Sequence, residues 1–162
     1  MKYVWTSQAP TKIKCFVWLV AKRACLTQEV LQRKGVQLVP RCFLCNETNE
    51  TNNHLFLHCG VTGQLWSLFL RLTDNSWTMP EHTADLLSCW IRRGGSKSQK
   101  KWWRIIPACI WWSVWKERNG RCYKNKSNSI QKVKENCIAY LYFWCKQKCI
   151  EEVEQLDMLG FL

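Results

Sequence analysis

Aspartate is scarce in this 162-residue chain, which holds only Asp74, Asp85 and Asp157. Three carboxylates so far apart in sequence do not supply the clustered ligands of a two-metal nuclease or polymerase. Neither G-x-x-x-x-G-K-[ST] nor G-x-G-x-x-G occurs among the 7 glycines, so the common nucleotide cradles are absent. No apolar run reaches the ~18–20 residues needed to span a bilayer. The Trp-rich stretch 102–115 is interrupted by Arg104 and Pro107 and reads as a core helix with charged ends. The short apolar run 15–21 sits late for a secretory signal and is followed by Lys22-Arg23 instead of a small-residue cleavage site. The chain is therefore read as intracellular, nuclear or cytoplasmic and not secreted. Most of its 11 cysteines are then reduced and act as small hydrophobes.

Base is what the chain has in excess: 24 Lys+Arg face 12 Asp+Glu, a formal net charge of +12. With 47% hydrophobic residues the sequence can build a core, and its length is that of one ordinary domain. A surplus of this sign favours polyanions without specifying sequence or separating RNA from DNA. Candidate nucleic-acid contacts are Lys12 and Lys14 on the first helix and Lys100, Lys101 and Arg104 beside Trp102 and Trp103, whose rings suit stacking on unpaired bases. Each of the 11 tryptophans, taken singly, is more readily explained as core.

Helical periodicity dominates. Ile13, Phe16, Val17 and Val20 share one face of a helix opened by Pro10. Thr27 is placed to cap a second helix that Gly35 stops. Residues 36–41 look extended, 46–53 form a polar loop, and Thr51 or Asn52 is placed to cap a short helix over 54–58. Further helices are expected over 61–72, 80–93, 98–119 (with Pro107 inside and Gly120 as the stop) and 130–158. The Gly94-Gly95-Ser96 run is a candidate hinge. The expectation is a mainly α-helical fold: a small helical domain over 1–72 that includes a knuckle at its cysteine pair, a helix and hinge over 73–97, and a Trp-rich basic helical hairpin over 98–162.

The segment CFLCNETNETNNHLFLHC reads C-x2-C-x8-H-x4-C through Cys42, Cys45, His54 and Cys59. A two-residue gap lets a tight turn aim both sulfurs at one point, and a later His-Cys pair can complete a tetrahedron around zinc. Four protein ligands leave no open position, so such a site is structural. In a continuous α-helix His54 and Cys59 would lie about 140° apart. Either the helix ends before Cys59 or His58 is the ligand. A redox role for the C-x-x-C is disfavoured because no βαβ pattern surrounds it. Cys145 and Cys149 share a helix face but have no histidine near in sequence, and read as core or surface thiols.

These residues resemble the reverse-transcriptase zinc-binding domain of plant LINE-type, non-LTR retrotransposons. The resemblance runs from Trp5 through Pro10, Lys12, Phe16 and Trp18 to Thr27, Leu31, Arg33 and Lys34. It then takes in Cys42, Cys45, Glu47 or Glu50, His54-Leu55-Phe56, Cys59 and Trp66. The run Ile106-Pro107-Ala108-Cys109-Ile110-Trp111-Trp112-Ser113-Val114-Trp115-Lys116-Glu117-Arg118-Asn119 is similar to a segment that often follows in such proteins. The resemblance implies structural zinc and favours His54 over His58. It also implies an accessory role beside a reverse transcriptase, and in some members a ribonuclease H, neither of whose carboxylate sets occurs here. The chain is thus expected to be a stand-alone, non-catalytic fragment that binds nucleic acid. The competing readings are a helical protein-interaction module, with Trp-rich helices meeting a partner or a second copy, and a remnant without function. A Cys59–His58 hydrolase is disfavoured because both residues are claimed by the metal motif and adjacent residues seldom form a catalytic pair.

Overall fold

The computed structural model describes residues 4, 7, 9–73, 76–90 and 96–158, with side chains given as far as residue 146 except Ser98. The architecture is mainly helical, as the periodicity predicts. Helix α1 spans Thr11–Ala21, α2 Gln28–Arg33, α3 Gly60–Leu72, α4 Thr83–Cys89, α5 Lys97–Lys124 and α6 Ile130–Met158, with a π turn at His54–His58 between α2 and α3. Among the described residues there is no strand, only an isolated antiparallel bridge between Arg41 and Asn49. None of these helices is long and apolar enough to cross a membrane.

Helix α5 is the organising element. It packs on α1, α3, the π turn and α6. One buried cluster runs from Ile13, Phe16 and Val20 of α1 through Leu55 and Phe56 to Ile106, Ile110, Trp111 and Val114 of α5 and Val133, Cys137 and Leu141 of α6. Trp90 and Trp103 stack with centroids 4.1 Å apart, and each indole N–H donates to the other's backbone carbonyl. Trp66 and Trp111 are the largest side chains enclosed completely. Of the tryptophans described, only Trp18 and Trp102 are exposed, so the core reading holds for most of them.

Several boundaries differ from those the sequence suggests. Helix α5 does not stop at Gly120 but runs on to Lys124 and ends at Asn125, which takes the left-handed conformation at φ 47°. Gly120 is required for another reason: the Lys126 amide donates to its carbonyl at 3.0 Å, and a Cβ there would lie 3.2 Å from the Lys126 carbonyl oxygen. The glycine thus permits the loop to fold back onto the helix. Of the helix expected over 80–93, Thr83–Cys89 is helical, with the Thr83 hydroxyl donating to the Val20 carbonyl at 3.1 Å, and residues 91–93 lie outside the described residues. Gly94 and Gly95 of the candidate hinge lie outside the described residues, and Ser96 caps α5 in a reciprocal capping box with Gln99. Thr27 stands at the N-cap of α2 without making the capping bond. Glu50 makes it instead, its carboxylate accepting from the Gln28 amide at 3.0 Å and its backbone carbonyl from the Glu29 amide at 3.2 Å.

Candidate metal centre

Residues 40–50 fold into a miniature hairpin. The Cys42 amide donates to the Thr48 carbonyl at 2.8 Å and the Glu50 amide to the Pro40 carbonyl at 3.0 Å. Between them the chain reverses through Asn46, at φ 59°, a residue type that tolerates the left-handed region. This turn points Cys42 and Cys45 to one side.

The second pair comes from the π turn. Thr51 accepts the His54 amide at 3.0 Å, the cap expected from the sequence. From His54 the wider turn closes with the Cys59 amide donating to the His54 carbonyl at 2.6 Å, an i→i+5 bond. The helix then ends, because Cys59 is extended at ψ 134°. The rotation that would separate His54 from Cys59 in an α-helix is removed, and both side chains turn toward the knuckle. His58 points elsewhere and bonds the Glu81 carbonyl at 3.2 Å. The carbonyls that the π turn frees are satisfied by packing partners. Leu55 accepts from the Thr62 hydroxyl at 2.7 Å, and Phe56 accepts two indole N–H groups, from Trp66 at 3.1 Å and Trp111 at 3.2 Å.

The ligand atoms of Cys42, Cys45, His54 and Cys59 all lie within 4.8 Å of one another. The two sulfurs of Cys42 and Cys59 are 3.9 Å apart, and Cys45 Sγ is 3.3 Å from His54 Nε2. A zinc tetrahedron with bonds of about 2.3 Å to sulfur and 2.0 Å to nitrogen has edges of about 3.8 Å and 3.5 Å. The four side chains therefore fit the ion in number, chemistry and spacing. The Thr48 hydroxyl lies against the edge of the His54 ring, 3.1 Å from Nδ1 and 3.2 Å from Nε2, and so packs beside the ligand cluster.

The electrostatics favour deprotonation at one corner. The hydrogen bond from Cys42 pulls the Cys59 thiol down to about 4 against the opposing effect of burial, with His54 and the first amides of α3 (Val61, Thr62) adding to it. Cys42 is pushed up in turn, first by that same bond and then by burial. The bond with Cys59 also raises His54, burial opposing it. Zinc entry would displace the protons held at Cys42 and His54, which couples binding to pH.

One feature of the site was not legible in the motif. Glu50 of the knuckle and Arg118 of α5 form a fully buried ion pair at 2.8 Å, with Arg118 Nε also donating to the carboxylate. Glu50 Oε2 accepts the Phe43 amide at 3.3 Å, so the carboxylate ties knuckle, α2 and α5 together. Burial alone would lower the Arg118 pKa, but Glu50 outweighs it and holds the guanidinium charged. Arg121, one turn on, donates to the Leu44 carbonyl at 3.0 Å. The signal available in sequence was a glutamate in a polar loop and an arginine 68 residues later, which no periodicity connects.

The basic candidates are not drawn into one place. Lys12 is exposed on α1 and lies over the Trp112 ring at 5.8 Å, while Lys14 is half-buried. Lys100, Lys101 and Arg104 are exposed near the start of α5, 8 to 12 residues from Trp112 along the helix, or roughly 12–18 Å by helix rise. Of the two aromatic residues beside them, Trp102 is exposed and available to stack. Trp103 is not, because its ring is buried against Trp90.

Residues 1–66 match the family described as zinc-binding in reverse transcriptase. A protein of Arabidopsis thaliana named for ribonuclease H is 24% identical over 134 residues, covering 81% of this chain. The chain spans about a fifth of that relative's length (21%). No solved structure matches this chain.

Proposed function

We propose that this chain, whose first 66 residues match a zinc-binding domain of reverse transcriptases, is a non-catalytic accessory module that binds nucleic acid without sequence preference. Structural zinc on Cys42, Cys45, His54 and Cys59 holds the knuckle. In this reading the chain divides into a zinc-binding domain over 1–72, a connection over 73–97 and a basic hairpin over 98–162, of which the described helices Lys97–Lys124 and Ile130–Met158 form the two arms. Its place is inside the cell, nucleus or cytoplasm, where thiolates stay reduced. The observation that carries the reading is the net charge of +12, displayed in part as exposed Lys12, Lys100, Lys101 and Arg104, with Trp102 exposed beside the last three. Neutralising phosphates with these cations would release counterions.

The test is anisotropy of a labelled single strand between about 0.05 and 0.2 M salt. Affinity is expected to fall linearly on a log–log plot, with the slope reduced by about 2 in the Lys100→Gln/Lys101→Gln/Arg104→Gln variant, at ~0.7 per phosphate contact. Absent or salt-independent binding would remove the reading. A second reading, a protein-interaction module, is favoured by one observation: Ile138, Tyr142 and Phe143 are exposed on α6. It would show as oligomers insensitive to salt.

A further inference from the structure

We propose that a cleft at the turn of the α5–α6 hairpin binds a phosphate group of a polynucleotide backbone. The proposal rests on the nucleic-acid reading and deepens it by naming a second contact site, distinct from Lys100, Lys101 and Arg104.

The cleft has a volume of about 320 Å³, within the usual range for ligand pockets, and lies where α5, the loop 125–129 and the first turns of α6 meet. Lys116, Lys124, Lys126 and Lys132 line it, with Asn128 and Asn136. Four lysines on one lining give the cleft a surplus of positive charge, and a concave site focuses the field. Lys124 and Lys126 have no acidic partner among the described residues. Lys132 has only an exposed contact to Glu135 at 3.5 Å, of a kind that contributes little. Lys116 leans on the Tyr140 hydroxyl at 3.1 Å, which holds its charge at the wall without cancelling it.

The single acid on the lining, Glu117, does not oppose an anion as a free charge would. Its Oε1 accepts from Arg121 Nε at 2.8 Å and from the Asn128 amide at 2.9 Å, and its Oε2 accepts from Asn128 Nδ2 at 2.7 Å. Burial pushes the Glu117 carboxyl up, but the bonds from Asn128 and Arg121 outweigh it and keep it ionised and paired. It shapes the loop that carries Lys126 and Asn128. The start of α6 assists. Lys132, Val133 and Asn136 bring the first turns of α6, its positive end, to the cleft. At the end of α5 the Gly120 carbonyl is already taken by the Lys126 amide. Lysines act as point charges with rotatable donors, which suits a tetrahedral oxyanion approached from several sides.

The experiment uses the full zinc-loaded chain, with Lys124→Gln/Lys126→Gln/Lys132→Gln compared with wild type and with the Lys100, Lys101 and Arg104 triple variant. Circular dichroism verifies folding, which these exposed substitutions should leave intact. Binding of a labelled single strand of about 20 nucleotides is read against salt. Amide shifts of residues 124–136 are followed by NMR during titration with tripolyphosphate. The expected result is about a tenfold loss of strand affinity in the cleft variant, a salt slope reduced by about 2, and tripolyphosphate shifts at the cleft that displace the strand. A cleft variant that binds the strand like wild type, while the Lys100 triple variant is weakened, overturns the cleft and leaves the functional reading standing. Tripolyphosphate shifts at the cleft without any strand binding keep the phosphate chemistry but overturn both the polynucleotide source and the functional reading. Neither response overturns both.

Discussion

Chelation of zinc, or Cys42→Ser or Cys59→Ser, is expected to abolish cooperative unfolding of the N-terminal half of the chain. The four ligands come from two short, irregular segments, a hairpin turned at Asn46 and a π turn ending at Cys59. Neither has a ladder of backbone bonds long enough to stand alone. Structural zinc supplies about 10–16 kcal/mol of binding energy that becomes folding energy, against a typical total stability of ~5–15 kcal/mol. Loss of the ion therefore removes most or all of the margin. Thermal melts of wild type with and without chelator, beside both serine variants, check this. Cys15→Ser serves as the control, since Cys15 is exposed and away from the site, and its cost is expected within about 0.5 kcal/mol. Identical melting of all samples would contradict the metal's role.

The next largest effect is expected from the buried pair of Glu50 and Arg118. Glu50→Gln or Arg118→Met alone leaves an uncompensated charge where both side chains are fully enclosed. Breaking one partner of such a pair costs about 3–5 kcal/mol. For a chain of this size that corresponds to a fall in Tm on the order of 10 °C, at ~2–4 °C per kcal/mol. The loss reaches the metal, because Glu50 also accepts the Phe43 amide inside the knuckle, so zinc should dissociate faster from either variant. The double variant should be less destabilised than the two single losses summed, because it buries no lone charge. Unfolding by denaturant and a chromogenic chelator assay measure both quantities. Strict additivity would show that the pair does not act as one unit.

The pair also marks where sequence reasoning stops. The buried face of α1 follows directly from residues spaced three and four apart, and the C-x2-C…H-x4-C spacing brought forward the four side chains that converge. The choice between His54 and His58 was open on helix geometry because that geometry assumed an α-helix. The π turn changes the rotation per residue, and it is stabilised by Thr62, Trp66 and Trp111, which bond the carbonyls it frees. Two of those partners lie beyond local reach in sequence. Gly120 read as a helix stop because glycine commonly marks one, whereas here it makes room for the returning loop at Lys126. Trp103 read as a stacking platform because it neighbours bases, yet its position on α5 turns it inward onto Trp90. Each of these residues answers to a contact that helical periodicity does not encode.

The central claim is a three-cysteine, one-histidine zinc site, and native mass spectrometry of the purified chain tests it most directly. One zinc per chain is expected in wild type and in His58→Ala, and none in Cys42→Ser or His54→Ala. A well-folded wild type without zinc, or an ion retained by His54→Ala and lost from His58→Ala, would contradict it.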